Sequence, residues 1–288
     1  MRRLIINADD FGLTSGVNRA IAEGNRSGVL TSATMMANAR AFDEAVGVAQ
    51  AVTNLRIGCH VVLIDGDPVS KGLTSLTNGS ARFRSNLKEF ALAAVCGRVS
   101  AEEIQREAET QIRKIQSRGI NLTHIDSHKH THMFPHVLRP VLRAASACGI
   151  RAVRNPFEPL RAWPHEAVAS APGMWLRSAG VMAFQIFAGE FRKALKEEEM
   201  VSTDGTVGIA ATGKLGQKML LSILGALPEG TWELVCHPGY SDADLKGSGT
   251  RLTTSREVEL AALTSMETKE ALACQKIELI SYADLEQM

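Results

Sequence analysis

Apolar segments typical of buried strands alternate with helical segments along most of this 288-residue chain, and this alternation restricts its fold most strongly. The predicted strands are Arg3–Asn7, Leu30–Met36, Leu55–Leu63, Leu122–Ser127, Arg151–Arg154, Thr206–Ala211, Trp232–Cys236 and Ile277–Ser281. The longest predicted helix, Ala101–Arg118, follows Ser100 with Glu103 three residues later, which is a capping-box pattern. Strands that alternate with helices are expected to be parallel and joined by crossover connections.

Two parallel architectures fit this alternation, a closed β/α barrel and an open doubly wound sheet. The nucleotide-binding form of the open sheet has a glycine-rich loop after its first strand, whereas this chain has Asn7-Ala-Asp-Asp-Phe-Gly12 there. We therefore predict one TIM-barrel-like α/β domain over residues 1–288, with seven to eight parallel strands. Residues 64–85 and 159–200 interrupt the alternation and are predicted to be insertions. The second insertion is interpreted as a lid, a membrane contact or packing on the barrel.

Composition excludes several classes of protein. The chain is 45% hydrophobic and 22% charged, with 32 basic and 31 acidic residues, so no overall charge attracts nucleic acid. Its five cysteines are scattered and lack a CxxC pair, which is typical of reduced thiols in the cytoplasm. The N-terminus lacks the apolar stretch of a signal peptide, and no apolar run has the roughly 18 residues of a membrane helix. We therefore expect a soluble, cytoplasmic protein.

Polar residues that can carry chemistry lie at the ends of several predicted strands. They are Asp9 and Asp10 after the first strand, His60 in the third, Asp126, His128 and His130 after the fourth, Arg154 in the fifth, and His237 after Trp232–Cys236. The carboxyl ends of parallel barrel strands meet on one face, where catalytic groups lie. Histidines beside carboxylates indicate a divalent cation with nitrogen and oxygen ligands, and the alternative interpretation is a solvated polar turn.

Single motifs in this set have simpler interpretations. Asp9-Asp10 taken alone fits a helix cap, His60 a hydrogen-bonded core histidine, and His237-Pro-Gly a turn. Cys236 next to His237 suggests a cysteine nucleophile, but neighbours along a strand point to opposite faces, which argues against it.

Together these motifs resemble the YdjC-like carbohydrate deacetylases over nearly the whole chain. The shared segments are NADDFG (Asn7–Gly12), Gly-x-His (Gly58–His60), Asp-Ser-His-x-His (Asp126–His130), HPG (His237–Gly239) and ELISYADL (Glu278–Leu285). Known members of that family remove the acetyl group from N-acetylated chitooligosaccharides on a β/α barrel. The resemblance thus implies a hydrolase that cleaves the amide bond of an acetylamino sugar.

The resemblance also implies roles for individual residues. Asp10, His60 and His128 are expected to hold one divalent metal ion, with Asp9 as general base and His237 as general acid. Zinc suits these ligands best, with magnesium, manganese and cobalt as alternatives. The remaining candidates, expected to contact substrate or orient a ligand, are Asp126, His130 and Arg154.

One segment departs from the form common in oligosaccharide-acting members, in which the Gly-x-His continues as His-x-x-Leu-Thr. Here Val61–Leu63 leads into Ile64-Asp65-Gly66-Asp67-Pro68. With the apolar stretch Val181–Phe187, this form is similar to the branch associated with hopanoid biosynthesis. The substrate is accordingly expected to be an acetylamino sugar, free or linked to a lipid at the inner membrane. Alternatives are a metal-dependent phosphoesterase, a cyclic-amide hydrolase and a non-catalytic metal-binding accessory protein.

Overall fold

The computed structural model describes residues 1–79, 81–158 and 173–285. Its strands are β1 (Arg2–Phe11), β2 (Ser32–Met35), β3 (Arg56–Val61), β4 (Leu122–Ser127), β5 (Gly205–Val207), β6 (Gly230–Cys236) and β7 (Ile277–Ile280). Its helices are α1 (Ser15–Arg26), α2 (Phe42–Ala51), α3 (Leu87–Val95), α4 (Ala101–Gln116), α5 (Pro135–Ala147), α6 (Met174–Ala183), α7 (Ala188–Glu197), α8 (Gln217–Ala226), α9 (Ala243–Gly247), α10 (Thr254–Thr264), α11 (Met266–Cys274) and α12 (Tyr282–Leu285). Single 3₁₀ segments cover His128–Met133 and Phe184–Phe187.

All strands belong to one curled parallel sheet that forms a half-barrel. Its order is β4-β3-β2-β1-β6-β5, and β7 pairs with the first residues of β1. Strand β1 is central and buried from Leu4 onward, with β6 in register beside it from Arg2 to Ala8. Because such a strand is buried on both faces, its sequence contains an apolar run and does not alternate between apolar and polar residues.

The prediction of a closed barrel with seven to eight strands is wrong, although the parallel α/β arrangement is confirmed. Between β4 and β5, the described residues form only isolated bridges, at Val153 and Ala152. The predicted strand Arg151–Arg154 is therefore not a full strand. Pro156 has no amide proton to donate, which limits the extension of this segment as a ladder.

Most predicted elements are confirmed within a few residues, and β4 has the predicted bounds. Residues 64–85 contain no helix or regular strand among those described, as expected for an insertion. Helix α3 is absent from the predicted elements. Of the second insertion, residues 159–172 lie outside the described residues, and the rest forms α6, a 3₁₀ turn and α7. Within the described ranges, every helix is too short or too polar to cross a membrane.

The described part of the second insertion packs against the segment that follows β4. Phe184 and Phe187 make edge contacts with Phe134, with ring centroids 6.0 and 6.2 Å apart. Phe134 directly follows the 3₁₀ segment His128–Met133. The insertion therefore supports the histidine-rich segment from its outer side.

Candidate active site

The end of β1 presents two adjacent aspartates in a bulge. Ala8 pairs with Ala33 and Phe11 with Met35, so β1 has one residue more than β2 across this interval. Asp10 has φ 66°, in the left-handed region that side chains rarely adopt. Asp9 and Asp10 are nevertheless both buried, with exposed fractions of 3% and 4%. The bulge thus brings consecutive side chains to one site, where a regular strand would separate them.

Asp10, His60 and His128 come together at the carboxyl ends of β1, β3 and β4. Asp10 Oδ1 lies 3.6 Å from His60 Nε2 and 3.4 Å from His128 Nδ1. The two ring nitrogens are 3.2 Å apart, and all three ligand atoms lie within 4.8 Å of one another. Two imidazoles and one carboxylate suit zinc or a similar ion and leave coordination positions open.

Each of these histidines directs its other nitrogen toward a further aspartate. His60 Nδ1 is 2.7 Å from Asp126 Oδ1, and His128 Nε2 is 3.8 Å from Asp65 Oδ2. Burial opposes protonation of His60, but the Asp126 carboxylate raises the pKa of this histidine overall. A carboxylate in this position keeps the proton on the outer nitrogen and leaves the inner lone pair free for a metal.

Arg154 is fully buried and contacts three carboxylates beneath the site. Nη1 and Nη2 donate to the two oxygens of Asp9 at 2.8 and 2.6 Å, and Nη2 also donates to Glu233 at 2.6 Å. Asp126 Oδ2 lies 2.5 Å from Nη1. Burial would raise the pKa of Asp9, but the Arg154 guanidinium holds it far below its usual range. Asp9 is therefore a fixed, ionised carboxylate at neutral pH.

A second buried arginine, Arg256 on α10, serves the neighbouring aspartate. Its Nη2 donates to Asp10 Oδ2 at 2.5 Å, which leaves Asp10 Oδ1 facing the two histidines. Among the described residues around the site, Asp9, Asp10 and Asp126 outnumber the two buried arginines. This excess of negative charge beside inward-facing ring nitrogens fits a divalent cation.

His237 lies at the end of β6, across Asp9 from the histidine pair. Its Nε2 is 3.9 Å from Asp9 Oδ2, and its backbone N–H donates to Glu259 Oε2 at 2.6 Å. Burial lowers the pKa of His237 to about 4, despite the attraction of Asp9 and Asp10. The ring is therefore neutral at pH 7.

His130 follows the ligand histidine in a left-handed conformation, with φ 52°. Burial lowers its pKa well below the usual value, so this ring is neutral as well. Its Nδ1 is buried without a hydrogen-bond partner among the described residues. Left-handed residues Asp10, Lys129 and His130 thus cluster at the site, as strained backbone often does at functional positions.

A layer of buried polar side chains supports the carboxylates from below. Asn7 Nδ2 donates to Asp9 Oδ1 at 3.0 Å, and Asn7 Oδ1 lies 3.2 Å from His124 Nε2. The His124 ring stacks on Tyr282 with centroids 3.8 Å apart. A Cβ at Gly58 would lie 2.5 Å from the His124 ring, which explains why the Gly-x-His segment needs glycine there.

The structure brings all the sequence-predicted site residues to one region. Asp10, His60 and His128 form one cluster, while Asp9, Asp126 and Arg154 form a second beneath it. Residues that contact these groups but are absent from the prediction are Asn7, Thr34, Asp65, Glu233, Arg256 and Glu259. Glu233 could have been found, because a carboxylate stands out in the apolar run Trp232–Cys236. Arg256 and Glu259 lie on a helix with no such signal.

Comparisons with known proteins give consistent results. The family model described as YdjC-like protein matches residues 3–274. A carbohydrate deacetylase of Brevibacillus brevis is 33% identical over 284 residues, which cover 98% of this chain and 99% of the relative. Carbohydrate deacetylase 1 of Listeria innocua is 31% identical over 285 residues, covering 98% and 100%. The crystal structure of an Enterococcus faecalis V583 protein, provisionally described as a cellobiose-phosphate cleavage protein, is similar with TM-score 0.80 and 25% identity, covering 99% of this chain and 98% of that one.

Proposed function

The chain belongs to the YdjC-like family, and from this membership and its site we propose that it is a metal-dependent hydrolase that removes the N-acetyl group from an acetylamino sugar. The observation that carries the proposal is the convergence of Asp10, His60 and His128 beside Asp9 and His237. Relatives that match 98% of the chain are carbohydrate deacetylases, which supports the reaction class. The donor set of the cluster supports the metal.

Hydrolysis of an acetamide needs an attacking water, a stabilised oxyanion and a protonated leaving nitrogen. Asp10, His60 and His128 would hold the cation. When bound, a divalent ion polarises the acetyl carbonyl and makes water more acidic. Zinc fits two imidazoles and one carboxylate best, with magnesium, manganese or cobalt as alternatives. Asp126 would fix the tautomer of His60, and Arg256 would fix the Asp10 carboxylate.

Asp9 would accept a proton from the attacking water. Arg154 keeps its carboxylate ionised and its orientation fixed, since both oxygens are held by the guanidinium. A strongly held carboxylate is a weak base, so its contribution depends on position more than on basicity. General base catalysis by a positioned group is typically worth about 10²–10⁴-fold in rate.

His237 would protonate the leaving nitrogen. Its Nε2 lies 3.9 Å from Asp9 Oδ2, so base and acid can reach the same acetamide. Because burial favours the neutral ring, the proton that it would give is the one on Nε2, the nitrogen nearer Asp9. The neutral His130 lies in the same region and would contact the sugar. The sugar is free or lipid-linked in this proposal.

The test is acetate release from diacetylchitobiose and from a hopanoid that carries N-acetylglucosamine, before and after chelation and restoration of zinc. We expect acetate that disappears on chelation and returns with metal, and the preferred substrate decides between the free and lipid-linked forms. His136→Gln provides a control, because His136 binds the backbone of Val99 outside the site. Phosphate ester cleavage in place of acetate release, or bound metal with neither, would contradict the proposal.

A further inference from the structure

Helix α10 carries a buried carboxylate beside His237 that the proposed reaction does not yet use. Glu259 is 1% exposed, and its Oε2 accepts the backbone N–H of His237 at 2.6 Å. Within the described chain, His237 Nδ1 is buried without a hydrogen-bond partner, while the Gly213 backbone amide also approaches the Glu259 carboxylate. Buried polar atoms without partners are rare because they lose their hydrogen bonds to water and gain none in return. An unpartnered Nδ1 on a histidine held by a buried carboxylate therefore indicates that the two residues share a role.

We propose that Glu259 is a positioning and proton-holding partner of His237. It anchors the histidine through the backbone N–H, and it supplies a proton to Nδ1 when Nε2 gives its proton to the leaving amine. This inference rests on the proposed deacetylase function, because it assigns a source for the proton that His237 donates.

The proton balance requires such a source. The tautomer of neutral His237 that the proposal uses has its proton on Nε2 and a lone pair on Nδ1. When the C–N bond of the acetamide breaks, its electron pair stays on nitrogen, which takes the Nε2 proton. Nδ1 then takes the carboxyl proton of Glu259, directly or through one water, and leaves a carboxylate. Asp9 meanwhile holds the proton of the attacking water, and exchange with solvent restores both groups after acetate departs.

The electrostatic setting of Glu259 suits this role. Burial raises its pKa to about 7, against the hydrogen bond from His237 and the charge of Arg256, so a large fraction is protonated near neutrality. Charged or titratable groups face the pair from five parts of the chain. They are Arg256 on α10, Cys236 on β6, Asp9 and Asp10 on β1, Arg154 after α5 and His130 after β4. Of these, Arg256 favours the Glu259 carboxylate, whereas Asp9 favours the protonated acid.

The experiment compares Glu259→Gln with Glu257→Gln on the same helix. Glutamine can accept the His237 N–H but has no acidic proton, so we expect kcat to fall about 10²-fold, the lower end for general acid catalysis. KM and bound metal should not change. In the wild type, kcat should fall as pH rises through about 7, because the protonated form of Glu259 is the active one. That decline should be absent in Glu259→Gln and present in Glu257→Gln, whose exposed carboxylate accepts the backbone N–H of Ser241 outside the site.

Unchanged kcat, an unchanged pH profile, or parallel loss of metal in Glu259→Gln would overturn the proposal. If that variant does not fold, Glu259→Asp and the solvent isotope effect of the wild type decide the question. A curved dependence of kcat on deuterium fraction indicates two protons in flight and supports the relay, whereas a linear one overturns it. A wild type that releases no acetate contradicts the deacetylase function itself, so the two failures are distinguishable.

Discussion

Asp9 and Asp10 are the same residue type, adjacent in sequence and equally buried, yet their surroundings differ completely. Arg154 holds both oxygens of Asp9 from beneath, with Asn7 as a further donor. Arg256 holds only one oxygen of Asp10 and leaves the other facing two ring nitrogens. Each aspartate therefore has its own buried arginine, but Arg154 binds both carboxylate oxygens of its partner and Arg256 binds one.

One bulge can thus give two adjacent aspartates different tasks. A carboxylate with a free oxygen beside imidazoles is available to a metal, whereas one held at both oxygens is fixed as an ionised group beside the reaction. The left-handed conformation of Asp10 makes this possible, since it brings the second side chain to the same site as the first, where a regular strand would place it on the opposite face.

The largest expected effect is on the metal half of the site. His128→Ala removes one of three donors, so we expect bound metal to be lost and acetate release to fall below detection. Metal analysis after gel filtration and an acetate assay check this, with His136→Gln as control. Full metal occupancy in His128→Ala would contradict the assignment of His128 as a metal ligand.

Arg256→Met tests whether this arginine orients the Asp10 carboxylate for metal binding. With its oxygen freed, Asp10 should bind metal about 10- to 100-fold more weakly, as expected for loss of a group that orients a ligand. Competition with a chelator measures this affinity, and kcat at saturating metal should recover substantially. The exposed Arg251 provides a matched control as Arg251→Met. Equal affinity in both variants would show that Arg256 does not orient Asp10.

A smaller effect concerns the contribution of the Asp9–Arg154 ion pair to the free energy of unfolding at low pH. Its folded pKa lies below the unfolded value of 3.8, so its contribution is present above pH 3.8 and is lost as pH falls further. Urea unfolding between pH 3 and 6 should show the start of this loss below pH 3.8 in the wild type and a flatter profile in Asp9→Asn. At neutral pH the variant should lose up to about 3–5 kcal/mol, because Arg154 loses one of its partners. Identical profiles would contradict the assigned pairing.

How far the sequence predicts this molecule depends on whether an interaction is local. Strand β4 and the cap of α4 by Ser100 follow from adjacent residues and are confirmed. Glu103, the second residue of the capping box, contacts Thr74 and Ser75 of the distant insertion instead of completing the box. Whether the sheet closes into a barrel could not be predicted in this way, because closure depends on strand pairing between segments that lie on either side of the second insertion.

The site shows the same limit. Asp9, Asp10, His60 and His128 stand at strand ends, where parallel topology alone predicts that they meet. Arg256 lies on an ordinary helix and is 246 residues from its partner Asp10 in the sequence. Its role follows only from three-dimensional packing, since nothing local in the helix marks a buried cation.

The most direct test of the account is a side-by-side measurement of bound metal and acetate release in Asp9→Asn and Asp10→Asn. We expect Asp9→Asn to retain metal at wild-type stoichiometry while kcat falls about 10²–10⁴-fold. Asp10→Asn should lose both metal and turnover. Loss of metal in Asp9→Asn, or active, metal-loaded Asp10→Asn, would contradict the division of labour between the two aspartates.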